Sequence, residues 1–160
     1  MAFDATSPRQ IWHVGFIVDN LEEAMEELSG PLGLTWAPVH EIRDQRLDGP
    51  NGEVYPLPST RVVFSTDLPL SLELIEPVPG TPQTRIGNSA FHHLGYWDTD
   101  LVAEEGRLDE LGYHCVAFRD DPDNDLRRIM LTKGPFDILL EATNALTARP
   151  GLEHFYPKGI

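Results

Sequence analysis

The chain has 160 residues, of which 41% are hydrophobic and 24% charged, a composition typical of one globular domain or two small fused modules. Its formal net charge is −14, and so acidic a surface repels phosphate backbones, so we do not expect nucleic-acid binding. No apolar run approaches the roughly 18–20 residues that span a bilayer, no secretory signal opens the sequence, and the single Cys115 excludes an internal disulfide, which together predict a cytoplasmic protein without membrane association.

The first predicted elements are a short strand and an amphipathic helix. HVGFIV (13–18) is apolar and rich in β-branched and aromatic residues, which is typical of a buried strand. Asn20 is placed to cap a following helix, with Glu23 at the position of a capping-box partner. The apolar stripe of this helix consists of Leu21, Ala24, Met25 and Leu28. Gly30 and Pro31 predict its end.

Three strand-like segments follow the helix: TWAPVHEI (35–42), TRVVFS (60–65) and LSLELIEP (70–77). The first two are separated by DQRLDGPNGEVYPLPS (44–59), a long excursion with a turn signal at GPNG. An insertion of this kind is typical of a lid or specificity loop, and a disordered hairpin tip explains it equally well.

The pattern is then repeated. At an offset of 80 residues, the segment 11–28 aligns with AFHHLGYWDTDLVAEEGRL (90–108), so that His13 meets His93 and Gly15 meets Gly95. The second helix is weaker because Gly106 interrupts it. Three strand-like segments again follow: YHCVAF (113–118), RRIMLT (127–132) and FDILLEAT (136–143). Arg127 and Arg128 on the middle segment are candidates for binding an anionic small molecule, but both also fit solvated strand positions.

Each half therefore has the order βαβββ, which predicts an α+β fold. We expect two tandem modules that pair into a curved eight-stranded mixed sheet, shaped as a cup with the helices outside. A single domain over 1–160 would comprise modules at 10–77 and 91–145, a Pro- and Gly-rich connecting loop at 78–90, and a C-terminal tail at 146–160.

Side-chain alternation selects the residues that face the interior of this cup. His13 and His93 in the first strands lie on the face away from the helices, and so do Glu73 and Glu141 in the last strands. His92, the neighbour of His93, is predicted to point the other way as a packing or surface residue. A single His on an apolar strand is usually a core residue, but the recurrence of both pairs at matching positions favours a shared site.

Two carboxylates that lie close together inside the cup, partly shielded from water, raise each other's pKa. Burying them unpaired costs roughly several kcal/mol of stability each. A divalent cation removes both problems. Two imidazoles and two carboxylates without sulfur suit an octahedral ion such as Zn, Ni, Co, Mn or Fe, and leave two coordination positions for water or a chelating substrate. We therefore predict that His13, Glu73, His93 and Glu141 bind one divalent metal ion.

The doubled module with HVGFIV, LELIEP, HHLGYW and LLEAT resembles the vicinal oxygen chelate superfamily, over roughly residues 10–145. This group includes glyoxalase I, methylmalonyl-CoA epimerase, extradiol dioxygenases, and fosfomycin and bleomycin resistance proteins. The resemblance implies that the four residues occupy the family's metal positions. It also implies a homodimer and a small carbonyl substrate, such as a thioester or a hemithioacetal.

A complete ligand set favours a lyase or isomerase of the glyoxalase or epimerase type. By resemblance, such an enzyme removes a proton next to a carbonyl and stabilises the enediolate on the metal, with Glu141 as first and Glu73 as second candidate for the base. A protein that sequesters a small molecule and a ring-cleaving dioxygenase-like enzyme are the alternatives. The epimerases place an acid before the third strand, where this chain has Ser59 and Thr60, so Glu41 or Glu53 would have to replace it.

Overall fold

The computed structural model describes residues 8–67 and 69–159 of the chain. Two helices and eight strands occur in this part. In chain order they are β1 (Ile11–Ile17), α1 (Leu21–Leu32), β2 (His40–Asp48), β3 (Val54–Phe64), β4 (Ser71–Ile75), β5 (Phe91–Asp98), α2 (Leu101–Glu110), β6 (His114–Asp120), β7 (Arg127–Lys133) and β8 (Leu139–Asn144). Neither helix of the described chain is long and apolar enough to cross a membrane.

The eight strands close into one barrel in the order β1-β4-β3-β2-β6-β7-β8-β5. The first and last strands of each half run parallel, β1 beside β4 and β5 beside β8, and the other neighbours are antiparallel. The halves meet along β1 and β5, and on the far side through one register pair, Asp48 with Phe118. The predicted α+β cup of eight mixed strands with helices outside is confirmed.

Both helices begin at a side-chain cap, as predicted for the first of them. The Asn20 side chain accepts a hydrogen bond from the backbone N–H of Glu23 at 2.9 Å, and Asp100 caps α2 in the same way. The end of α1 differs from the prediction, because the helix continues through Pro31 to Leu32. Proline removes only its own N–H from the helix, and the ladder resumes where Gly33 donates to Ser29 O. Gly33 then ends the helix with a φ of 65°, which glycine adopts without strain.

The excursion at 44–59 is neither a lid nor a disordered tip. Strands β2 and β3 pair through it, from His40 opposite Val62 to Asp48 opposite Val54, so that only five residues form the turn between them. Leu47 and Leu57 hold this part of the hairpin because both side chains are buried in the barrel interior. The hairpin thus supplies a wall of the barrel rather than a movable cover.

The C-terminal tail packs against the barrel and contributes to its core. Phe155 is 4% exposed, with ring centroids 5.8 Å from Trp12 and 5.3 Å from Phe64. The ring of Tyr156 lies 4.7 Å from that of Trp97. These aromatic contacts bury apolar surface that the barrel end would otherwise expose, so the tail holds a defined position.

A buried carboxylate on α2 ties the helix to the chain start and to β5. Glu104 is 3% exposed and accepts hydrogen bonds from Arg107 Nε at 2.7 Å, Arg9 Nη2 at 2.9 Å and the Tyr96 hydroxyl at 2.9 Å. Burial by itself raises the pKa of Glu104, but the hydrogen bonds from Arg107 and Arg9 outweigh it and hold the pKa below its ordinary value.

We expect Glu104→Ala to lower the free energy of unfolding by about 3 kcal/mol at neutral pH, because it removes the acceptor of the buried Tyr96 hydroxyl and the carboxylate's bonds to Arg107 and Arg9. The exposed Glu110→Ala is the matched control and should change it by less than about 0.5 kcal/mol. Because the folded-state pKa of Glu104 is depressed, its contribution is present above the ordinary value of 4.5 and is lost as the pH falls through the folded-state pKa. Urea titrations at several pH values measure the free energy of unfolding of both proteins. If the difference in this free energy between wild type and Glu104→Ala does not become smaller at low pH, the depressed pKa of Glu104 is contradicted.

Candidate metal centre

The four predicted ligands lie in two adjacent rows that cross the strands where the halves meet. The rows are Glu73–Gly15–His93 on β4, β1 and β5, and His13–Gly95–Glu141 on β1, β5 and β8. In each row a glycine separates the His from the Glu. The two rows are related by the internal repeat, so each half contributes one His and one Glu to the same place inside the barrel.

Close contacts between glycine and histidine explain why the motif His-x-Gly occurs in both halves. A Cβ atom on Gly95 would overlap the imidazole of His13, and one on Gly15 would overlap the imidazole of His93. Each glycine therefore makes room for the histidine of the other half. Only with both glycines can the two rings turn toward each other across the β1–β5 pair.

The donor atoms converge closely. His13 Nε2 lies 2.8 Å from His93 Nε2, and Glu73 Oε2 lies 3.3 Å from the former and 3.0 Å from the latter. Glu141 lies farther away, with Oε1 3.5 Å from His13 Nε2 and Oε2 3.8 Å from His93 Nε2. All four side chains are buried, the histidines completely.

The charges of the cluster depend on one another. Burial by itself lowers the pKa of His13, but the carboxylates of Glu73 and Glu141 outweigh it and raise this pKa to about 9. Burial likewise raises the pKa values of both carboxyl groups, yet the imidazoles of His93 and His13 bring them below the ordinary value. The two carboxylates thus require positive charge between them, which a proton on His13 or a cation can supply.

The donor set fits a divalent cation. With bonds of about 2.1 Å, neighbouring ligand atoms of an octahedral ion lie about 3.0 Å apart, close to the separations found here. Within the described chain Glu73 Oε2 has no hydrogen-bond partner, although it is buried beside both imidazoles. Among residues 8–67 and 69–159, these four are the one group of at least three His, Cys, Asp or Glu side chains that could hold a metal ion.

A bulge in each half turns one more side chain into the interior. Between β1 and β5 the register shifts at Trp12 and again at His92, so that each is an extra residue without an opposite partner. The repeat aligns these two positions, and both side chains are nearly inaccessible, at 1% and 2% exposure. Strict alternation predicts that His92 points away from the site; the bulge is the reason that it does not.

His92 contacts the candidate ligand His93. Its Nδ1 lies 2.9 Å from His93 Nδ1, and its Nε2 lies 2.8 Å from the carbonyl oxygen of Pro82. A carbonyl only accepts, so Nε2 of His92 carries the proton and Nδ1 is the acceptor. His93 Nδ1 therefore donates the hydrogen bond between the two rings. In a neutral His93 the free lone pair is then on Nε2, which points toward the cluster. Burial and the neighbouring His93 lower the pKa of His92, in keeping with this neutral form.

A cavity opens beside the four side chains and is lined by Glu73, Glu141 and His93. Its apolar wall includes Ile42, Leu47, Leu57, Ile75, Ile129 and Leu131. Two arginines, Arg119 and Arg149, also line it. The cavity, about 50 Å³ in volume, therefore combines an apolar wall with polar groups at the carboxylate cluster and at the arginines.

Other candidates from the sequence lie elsewhere. Glu41 is exposed and pairs with Arg43, and Glu53 bonds to the backbone N–H of Asn51 in the hairpin turn, so neither supplies an acid to the cavity. Thr60, which the sequence placed before the third strand, lies within β3 and donates to Glu76 O.

The cations in the cavity are not those that the sequence suggested. Arg127 pairs with Glu105, and Arg128 pairs with Asp121 at 2.8 Å. Sequence reasoning missed Arg119, although alternation from the buried Ala117 places it on the inner face of β6. Arg149 in the tail carries no such periodic signal.

The chain matches the model of the glyoxalase/bleomycin resistance protein/dioxygenase superfamily over residues 12–129. A search among curated proteins found no significant match.

Solved structures with the same fold include methylmalonyl-CoA epimerase from Mycobacterium tuberculosis, with a TM-score of 0.59 and 20% identity over 89% of this chain and 92% of that chain. A variant of Streptomyces coelicolor methylmalonyl-CoA epimerase, in complex with 2-nitronate-propionyl-CoA, has a TM-score of 0.61 and 16% identity over 90% of this chain and 100% of that chain. A variant of 4-hydroxymandelate synthase from the same organism has a TM-score of 0.59 and 18% identity, covering 88% of this chain but 39% of that chain.

We expect Gly95→Ala to weaken binding of Co²⁺ or Mn²⁺ by about 10–100-fold, because its methyl group displaces the ring of His13. Gly106→Ala is the matched control, since a Cβ there meets no described atom within 4 Å; it should leave metal affinity unchanged. Isothermal titration with each ion measures the affinities, and circular dichroism checks the folding of each variant. Equal affinities for Gly95→Ala and wild type would contradict the assignment of His13 as a ligand.

Proposed function

The chain belongs to the glyoxalase/bleomycin resistance protein/dioxygenase superfamily, and from this we propose that it is a divalent-metal-dependent enzyme that removes a proton from a carbon next to a carbonyl. The reaction would be that of a lyase or an isomerase. The observation that supports it most is the complete, buried set of two histidines and two glutamates beside a cavity. A protein that only sequesters a small molecule has no need for two converging buried carboxylates, which cost stability unless a cation compensates them.

His13, Glu73, His93 and Glu141 would hold the metal, with Zn, Ni, Co, Mn and Fe all compatible with the donor set. A bound divalent cation supplies Lewis acidity and a template for two neighbouring substrate oxygens. The chain itself contributes the fixed orientation of both imidazoles over the glycines of the opposite half. The apolar wall excludes water, which strengthens the electrostatic interactions inside the site.

Glu141 is our first candidate for the base and Glu73 the second. Glu73 Oε2 lies within 3.3 Å of both imidazole Nε2 atoms, whereas the carboxylate oxygens of Glu141 lie 3.5 and 3.8 Å from them. The looser hold on Glu141 leaves one of its oxygens free to accept a proton from a substrate carbon and to return it. In an isomerase the proton returns to the same or the neighbouring carbon, so no other reactant is consumed.

The substrate class would be a small carbonyl compound, such as a thioester or a hemithioacetal. Methylmalonyl-CoA epimerases share the fold, but where the resemblance implies an acid this chain has Ser59 and Thr60, which lie within β3. With Glu41 and Glu53 both outside the cavity, Glu141 and Glu73 are the acids that line it among the described residues. A reaction in which one carboxylate both removes and returns the proton suits this arrangement better than one that needs acids on two faces of the carbon.

By the same resemblance we propose a homodimer in the cytoplasm, and the single cysteine suits a reducing compartment. Light scattering coupled to gel filtration measures the mass of the assembly.

We expect the purified protein to bind one divalent ion per chain and to exchange the α-proton of a substrate with D₂O. The screen would use the glutathione hemithioacetal of methylglyoxal and methylmalonyl-CoA, followed by NMR. Glu141→Gln should slow exchange about 10²–10⁴-fold, and the exposed Glu110→Gln should not. Absence of stoichiometric metal before and after reconstitution would refute the metal-dependent reaction. Unchanged exchange in metal-loaded Glu141→Gln would reject Glu141 as the base.

His92 is proposed as a positioning residue for His93. We expect His92→Phe, which keeps a ring but removes the acceptor, to weaken metal binding about 10–100-fold. His92→Asn should retain more affinity, because its amide can accept from His93 Nδ1. The absorption spectrum of the Co²⁺-loaded protein reports the ligand geometry independently of activity. If Phe and Asn at this position behave alike in both measurements, the hydrogen bond has no positioning role.

A further inference from the structure

Two guanidinium groups reach the cavity from elements outside the metal cluster. Arg119 lies on β6, and Arg149 lies in the tail that follows β8; both line the cavity together with Glu73, Glu141 and His93. The tail holds Arg149 in place, because Leu152 and Phe155, a few residues farther on, are 4% exposed and packed into the core. The position of both cations is therefore built into the fold.

Neither arginine forms an ion pair with a described residue, although the nearby carboxylate of Glu141 favours the charged form of Arg119. The described part of the chain offers Arg119 only the amide oxygen of Gln45, and its buried Nε has no hydrogen-bond partner. Arg149 makes no side-chain hydrogen bond or ion pair with any described residue, and its Nε is also buried. This is unusual in a chain with 26 acidic and 12 basic residues, where Arg127 and Arg128 on the next strand both pair with carboxylates.

The two like charges also act on each other and on a third group. Burial first, and then Arg149 and Arg128, lower the pKa of Arg119 to about 10, so it remains charged at neutral pH. Burial, Arg149 and Arg119 also lower the pKa of His40 at the start of β2. Glu141 offsets part of this effect on Arg119, but cations without an ion pair in a partly buried place still destabilise the free protein, and an anion with several oxygens relieves this cost.

We propose that Arg119 and Arg149 form an oxyanion subsite, and that the ligand of this cavity is a small organic acid with a carboxylate or phosphate group apart from its metal-binding oxygens. Guanidinium groups bind both anions through paired hydrogen bonds. The apolar wall would contact the carbon chain that joins the two polar ends of the ligand. The proposal of anion binding depends only on the residues that line the cavity. The proposal that this anion is the substrate also rests on the proposed function.

The test uses titration calorimetry of the protein as purified, with its metal content measured, and again after chelation. The probes are glutarate, its uncharged analogue glutaramide, and inorganic phosphate. The variants are Arg119→Met and Arg149→Met, and Arg119→Lys keeps the charge. Arg85→Met is the matched control, because Arg85 is exposed and pairs with Asp19 on the outer surface.

We expect wild type and Arg85→Met to bind glutarate or phosphate, and each cavity variant to lose about tenfold or more in affinity. Arg119→Lys should retain part of the binding, and glutaramide should not bind. A preference for glutarate identifies a carboxylate as the recognised group, and a preference for phosphate identifies a phosphate. Binding that is equal in all variants, equal for glutarate and glutaramide, or absent for both anions overturns the subsite.

The two proposals fail separately. Arginine-dependent anion binding by a protein that never takes up metal would refute the proposed reaction and leave the subsite intact. Metal binding and α-proton exchange without any effect of the arginine variants on anion affinity would refute the subsite alone.

Discussion

Two carboxylates and two imidazoles, buried at the joint between the halves with their ligand atoms within 4.8 Å of one another, are the constraint on which the rest of this structure depends. Charged groups tolerate such a place only when opposite charge lies between them. Each half alone would present only one His and one Glu, on a sheet face exposed to water. The pairing of the halves therefore creates the cluster, and the His–Gly contacts across β1 and β5 determine how closely the halves approach.

Much of this arrangement could be predicted from the sequence, because it follows from two periodicities. The repeat at 80 residues fixes which positions correspond, and side-chain alternation fixes which of them face inward. His13 and Glu73 share the interior face for this reason, and the cup of eight strands is confirmed. The pairing of β2 with β3 across residues 44–59 was not predicted, because Leu47 and Leu57 are the buried hydrophobic side chains of that polar segment and two such residues give no clear alternation.

The two bulges between β1 and β5 could not be predicted from side-chain alternation. Alternation holds for a regular strand, and one extra residue shifts the side chain at the bulge to the face of its neighbour. The same irregularity occurs at Trp12 and His92, but the halves use it differently. Trp12 stacks on Trp97 at 4.5 Å and packs against His13, whose Nδ1 has no partner in the described chain, whereas His92 bonds to His93 Nδ1. The two imidazoles of a pseudo-symmetric cluster are thus unequal: a hydrogen bond fixes the tautomer of one, and only packing holds the other.

The net charge of the chain describes its surface and not its interior. A value of −14 argues against a partner with a long phosphate backbone, since many exposed acids act together at distances of several ångströms. Inside the cavity, Arg119 and Arg149 would act on a bound anion at short range, and nearby charges in a medium of low polarity interact more strongly than distant ones that salt screens. The acidic surface would slow the approach of an organic anion, while Arg119 and Arg149 stabilise it once bound. Such a site would favour small, compact anions over extended ones. A small anion fits wholly inside the cavity, whereas part of an extended anion would stay near the acidic surface and be repelled by it.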